Sequence, residues 1–206
     1  MDAIYRRWAL RIAEMNGDAE GQWEVYLYAL RFWVSTAINF ALLLALGWLF
    51  DCISLIIAAT AGISLFRAFA GGAHHHRAEV CSAMTMFVMA AIVIVARMPI
   101  PVEMVTAVFF PILLLAFWSV YRYAPADTPN KPIVGEERAH FRRLSYIIVT
   151  LLALAFSGFL ALGFTGIVLA GALGMLWQSF SMTPHGYSFS HAIDDVVEKV
   201  TTTSIK

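Results

Sequence analysis

Long uncharged apolar runs separated by short polar breaks dominate the chain. The first run, Phe32 to Phe50, opens after Arg31 and closes at Asp51. A second begins at Cys52, reaches Phe66 and extends through Ala68, Phe69 and Ala70, and a third covers Cys81 to Ala96 before Arg97, Pro99 and Pro101. Met104–Tyr121, Leu144–Phe164 and Thr165–Met182 supply three more. A bilayer-spanning helix needs about 20 mostly apolar residues. The pattern therefore predicts an all-α integral membrane protein with about six transmembrane helices, the shorter runs borrowing from their flanks. Four spans plus two re-entrant pieces is the alternative.

The segments between and around these runs are equally readable. Within residues 3–15, Ile4, Trp8 and Ile12 share one helical face while Arg6, Arg7 and Arg11 lie elsewhere, the pattern of an amphipathic helix lying in the headgroup region. Tyr123 to Ile133 holds Pro125, Pro129 and Pro132 and reads as an irregular loop. Beyond Met182 the pattern predicts a short polar tail with one helix around Ala192–Val200. The organisation is a single polytopic domain over residues 1–206. It comprises an interfacial helix and linker (1–23), a transmembrane bundle (24–182) and a cytoplasmic tail (183–206).

Composition agrees with the pattern and removes several function classes. Of 206 residues, 60% are hydrophobic and 14% charged, and mean hydropathy is +0.73. Soluble domains are about 45–50% apolar and about 25% charged, so an ordinary cytosolic enzyme is excluded. Fourteen basic and fourteen acidic residues cancel, which leaves no bulk charge for nucleic acid. The basic residues are unevenly placed: with the N-terminus inside, thirteen fall on cytoplasmic segments and only Arg97 outside. By the positive-inside rule both termini are cytoplasmic, in a multi-pass cell-membrane protein. Two cysteines, Cys52 and Cys81, are too few for a disulfide framework, and this topology puts them on opposite membrane faces.

One segment breaks the apolar pattern. Arg67-Ala-Phe-Ala-Gly-Gly-Ala-His74-His75-His76-Arg77-Ala-Glu79-Val-Cys81-Ser82 gathers ionisable groups at the cytoplasmic junction of the second and third spans. Such groups at membrane depth are costly and point to function. A thiol with an ordinary pKa of about 8.5 needs a base or an electropositive setting to act as a nucleophile; a histidine and a helix N-terminus supply both. On one straight helix, His74 and Cys81 would be separated by a rise of about 10.5 Å. A dyad therefore requires the chain to bend, and Gly71 and Gly72 provide the place. Zinc is a weaker reading, because three adjacent histidines lack the separated spacing of structural zinc sites; no metal or cofactor is expected. The alternative is a non-enzymatic transporter or chaperone for a peptide; no acidic residue sits at a span centre, which disfavours a proton-coupled transporter.

Arg67, Gly71-Gly72-Ala73-His74 and Cys81, seven residues past that histidine, resemble the signature of the AgrB family. These are membrane cysteine endopeptidases that process quorum-sensing propeptides. Tyr123-Ala-Pro-Ala-Asp-Thr-Pro-Asn-Lys-Pro-Ile133 resembles the loop after that family's fourth span. The resemblance implies Cys81 as nucleophile and His74 as general base, with Arg67 orienting an acidic region of the substrate or an active-site carboxylate. Lys131 matches a basic loop position, and Glu24, at the entrance to the first span, is a candidate polar partner. The implied partner is a short AgrD-like propeptide with an amphipathic leader lying on the lipid bilayer. It is cleaved through an acyl-enzyme thioester, with (thio)lactone closure and a homodimeric enzyme also implied.

Overall fold

A computed structural model describes residues 2–17, 22–75, 77–126 and 135–203. Among them the chain is helical, without a β-strand. The helices are α1 (Asp2–Asn16), α2 (Trp23–Leu49), α3 (Ile53–Thr60), α4 (Phe66–Ala70), α5 (Ala78–Ala96), α6 (Val102–Tyr123), α7 (Glu136–Ala161), α8 (Thr165–Ser181) and α9 (Pro184–Thr203). A π-helical turn, Ala61–Leu65, joins α3 to α4 without interrupting the rod. The chain groups into two compact units, Met1–Ala45 and Leu46–Lys206.

In the first unit α1 buries its small residues, Ala9 and Ala13, and leaves Ile4 and Trp8 exposed. The Arg6 guanidinium lies 5.2 Å from the centre of the Trp23 ring, and Asn16 Nδ2 donates to the Tyr26 hydroxyl at 2.9 Å.

The second unit is organised around α8. Its buried face runs from Val168 to Ser181 and is rich in Ala, Gly and Ser, because in a bilayer close backbone approach, not apolar surface alone, draws helices together. A Cβ on Gly174 would stand 2.6 Å from the Ala59 carbonyl of α3. One on Gly171 would strike the Phe156 ring of α7, and one on Gly62, in the π-turn, the Gly171 carbonyl. Gly166 abuts the Ala96 carbonyl at the end of α5. Gly163 differs from these three α8 glycines: it has φ +81° in the α7–α8 turn and meets no neighbour, so its role is the turn rather than packing.

Five helical segments are long and apolar enough to cross a membrane: Trp23–Leu49, Ile53–Ala70, Glu79–Ala96, Val102–Tyr123 and Glu136–Ala161. The sixth expected span departs from the sequence pattern. α8 is 17 residues long, and it turns through 83° into α9, so the pair forms a broken span or a re-entrant element. The expected tail is likewise a 20-residue helix, α9. Gly186 permits the corner by fitting against the Phe180 carbonyl, and Trp177, Phe180 and Phe189 pack edge to face across it.

Filling the α3–α8 contact should be costly. Gly174→Leu is expected to destabilise the bundle by about 1–3 kcal/mol through overpacking. Gly158→Ala, whose Cβ meets nothing, should be neutral or stabilising by about 0.5–1 kcal/mol. Thermal unfolding in detergent checks the contrast.

Candidate functional site

The second span ends where its paired glycines leave helical geometry. Gly71 has φ +74° and Gly72 φ +138°, values an L side chain rarely adopts. The chain then runs without helix until α5 begins at Ala78, so the span-two to span-three junction is a bend and not a rod.

Breaking a helix here exposes backbone groups at the edge of the apolar region, where each needs a partner. Gln178 of α8, whose residue surface is 0% exposed, donates from Nε2 to the Gly71 carbonyl at 2.6 Å. The Ala73 N–H donates to the Ser181 carbonyl at 2.9 Å, and Ser181 Oγ donates to Gln178. Gly72 lies so close to α8 that a Cβ would be 2.7 Å from Ser181 Oγ. Arg67 Nη2 donates to the Ala73 carbonyl. From the other side, the Ala126 N–H donates to the Ala70 carbonyl at 2.8 Å, and Gly71 pairs with Ala126 as an isolated bridge. The two motifs singled out in the sequence therefore meet at Gly71. Arg142 Nε braces this loop through the Ala124 carbonyl at 2.8 Å.

Cys81 is the fourth residue of α5 and half-buried. Its N–H makes the 3.1 Å bond to the Arg77 carbonyl that opens the helical ladder, so the sulfur belongs to the first turn, where the helix dipole favours negative charge. Arg67, half-buried in the last turn of α4, interacts electrostatically with Cys81 and Tyr187, and also with His74. The guanidinium is thus the charge that the cysteine and the histidine share.

His74 has its pKa lowered from 6.5 to about 4, first by desolvation, then by the Arg67 cation and by His75. One side of His74 is solvent-exposed and keeps part of its hydration, so the direction toward a neutral imidazole carries the argument. His75 does something else: its Nδ1 lies 2.9 Å from Asp194 Oδ1 of α9, with the two side chains only 7% and 11% exposed.

The structure therefore gathers Arg67, Gly71, Gly72, His74 and Cys81 at one junction. Glu24 lies in the first turn of α2, in the first unit. Lys131 and His76 lie outside the described residues. Cys52 is buried at the start of α3, a span's length from Arg67. Among the described residues no three His, Cys, Asp or Glu side chains converge as metal ligands. Sequence reasoning missed Gln178, Ser181, Tyr187 and Asp194. An amide inside the otherwise apolar last run was the available signal for Gln178; Asp194 sits in a polar stretch with none.

The family profile for AgrB, accessory gene regulator B, matches residues 6–182. The chain belongs to the AgrB family. An AgrB-like protein of Clostridium perfringens strain SM101 is 24% identical over 202 residues, covering 91% of this chain and 93% of the relative. A second AgrB-like protein, from strain 13 of that species, is 25% identical over 204 residues with the same coverages. No solved structure matches the chain. Membership places this multi-pass membrane protein in the propeptide processing of accessory gene regulator quorum sensing.

A depressed histidine pKa has a defined pH signature. The folded state holds the His74 proton less tightly than the unfolded chain does, so its contribution to stability is present above pH 6.5 and lost as pH falls toward about 4. His74→Gln should flatten that part of the unfolding profile, and NMR titration of the His74 ring should give a midpoint well below 6.5.

Proposed function

We propose that this AgrB protein is a cysteine endopeptidase with Cys81 as nucleophile and His74 as its proton-transfer partner. It removes the C-terminal tail of a short AgrD-like propeptide. The observation that carries this reading is the bend at Gly71 and Gly72: it takes His74 out of the helix, in a loop held by Arg67, Gln178 and Asp194, and leaves Cys81 in the first turn of α5, with Arg67 interacting electrostatically with both.

The direction of the His74 shift assigns the roles. An imidazole held below its ordinary pKa of 6.5 is a weak base toward a thiol whose ordinary pKa is about 8.5, so the histidine alone does not make the thiolate. Arg67 and the N-terminus of α5 stabilise the sulfur anion as it forms, and His74 receives the proton. The thiolate attacks the scissile carbonyl, forming a C–S bond. As the C–N bond breaks, His74 returns the proton to the departing amine. The imidazolium of a weakly basic ring is a strong acid, which suits that second transfer. The product is an acyl-enzyme thioester. A thiol within the retained peptide then attacks the thioester carbonyl, closes a thiolactone and releases Cys81. Water must be kept out, because hydrolysis would drain the thioester irreversibly; a site at the edge of the apolar bundle suits this.

The positive-inside bias supports cytoplasmic termini, which puts the Gly71–Cys81 junction on the inner face, where an amphipathic leader would hold the scissile bond.

Cys81→Ala is expected to abolish cleavage of a synthetic AgrD-like propeptide (amphipathic leader, central cysteine, acidic tail), with membrane insertion unchanged. His74→Ala should lower cleavage to the same floor, while His75→Ala should be milder. Proteoliposome assays followed by mass spectrometry check this; cleavage by Cys81→Ala would reject the assignment.

A further inference from the structure

α9 reaches the site at two points along a single face. Gly186, Tyr187, Ser190, Asp194 and Val197 lie on its inner side, while Ser188, His191 and Asp195 lie outward. Tyr187 and Asp194 are seven residues apart, about 10.5 Å along the axis and on one face. The first interacts electrostatically with Arg67, and the second holds the ring of His75. One helix therefore lies across the junction from the guanidinium to the histidine run.

The His75–Asp194 contact is a directed one. A carboxylate only accepts, so at 2.9 Å the imidazole donates from Nδ1, which fixes tautomer and ring orientation. With both side chains nearly buried, water competes poorly for either partner, and hydrogen bonds to charged groups are the stronger kind. On the other flank of His74, Ala73 is held through both its N–H and its carbonyl. His74 thus stands between two anchored residues, one tied to α8 and Arg67, the other to α9.

We propose that Asp194 is a positioning residue of the Cys81 site: it grips His75 from α9 and so fixes the loop that presents His74 to Arg67 and Cys81. The C-terminal helix is then part of the catalytic apparatus. This rests on the reading of Cys81 as nucleophile. Asp194 touches no reacting atom; its contribution is to the orientation of its neighbour, where displacements of about 1 Å can cost about a hundredfold in rate.

α9 is secured independently of this pair by the aromatic corner of Trp177, Phe180 and Phe189, so removing the carboxylate should leave the bundle assembled. The test uses the full chain in proteoliposomes with a synthetic AgrD-like propeptide (amphipathic leader, central cysteine, acidic tail), and measures amide hydrogen exchange across residues 71–75 together with cleavage kinetics. Asp194→Ala should speed exchange there at least tenfold and lower kcat about ten- to a hundredfold, with KM within about twofold. Asp194→Asn, whose amide oxygen still accepts from Nδ1, should recover most of both losses. From the loop side, His75→Asn, whose amide nitrogen can replace the Nδ1 donor, should stay near the parent, and His75→Leu should match Asp194→Ala.

Parent-like exchange in Asp194→Ala would overturn the proposal. So would a loosened loop with parent-like kcat, or an Asp194→Asn variant no better than Asp194→Ala. Retained cleavage by Cys81→Ala would instead remove the nucleophile and leave the exchange result standing, so the two failures are distinguishable.

Discussion

The junction depends on a few backbone hydrogen bonds at a place where a transmembrane helix stops early. Stopping a helix at the boundary of the apolar phase strands carbonyls and N–H groups that lipid cannot satisfy. Here a buried glutamine amide takes the Gly71 carbonyl, the Ser181 carbonyl takes the Ala73 N–H, and Arg67 takes the Ala73 carbonyl. These bonds are reachable only because Gly71 and Gly72 let α8 and Ala126 come within backbone distance. Satisfying the broken helix and presenting the histidine are the same act.

The electrostatics follow from that geometry. Arg67 remains in the last turn of α4 and points its charge across the gap that the bend creates. It disfavours a second cation on His74. Burial first, and then this fixed cation, hold the imidazole toward its neutral form.

Much of this was legible in the sequence. The apolar runs located five spanning helices, and the Gly-Gly pair with His74 and Cys81 marked the bend. The rest was not, for physical reasons. A π-turn over Ala61–Leu65 shifts the register of everything after it by one residue, about 100° of rotation, and no composition signal marks it. The sixth run read as a full span because Thr165–Met182 is apolar throughout, whereas its bend into α9 is set by Gly186 and an aromatic corner. The pairing of His75 with Asp194 joins residues 119 apart, a distance over which periodicity carries no information. Adjacent histidines look alike in a sequence; only the fold separates the ring that faces Arg67 from the one that is held by a carboxylate.

The central claim is that the Cys81 sulfur becomes covalently bonded to the propeptide. Acid quenching of a proteoliposome reaction within a few turnovers, followed by intact-mass and peptide mapping, observes that bond directly. The account predicts an adduct on Cys81 equal in mass to the propeptide less its C-terminal tail, released by hydroxylamine as a thioester should be. Cleavage proceeding at full rate with Cys81 unmodified at every time point would contradict it.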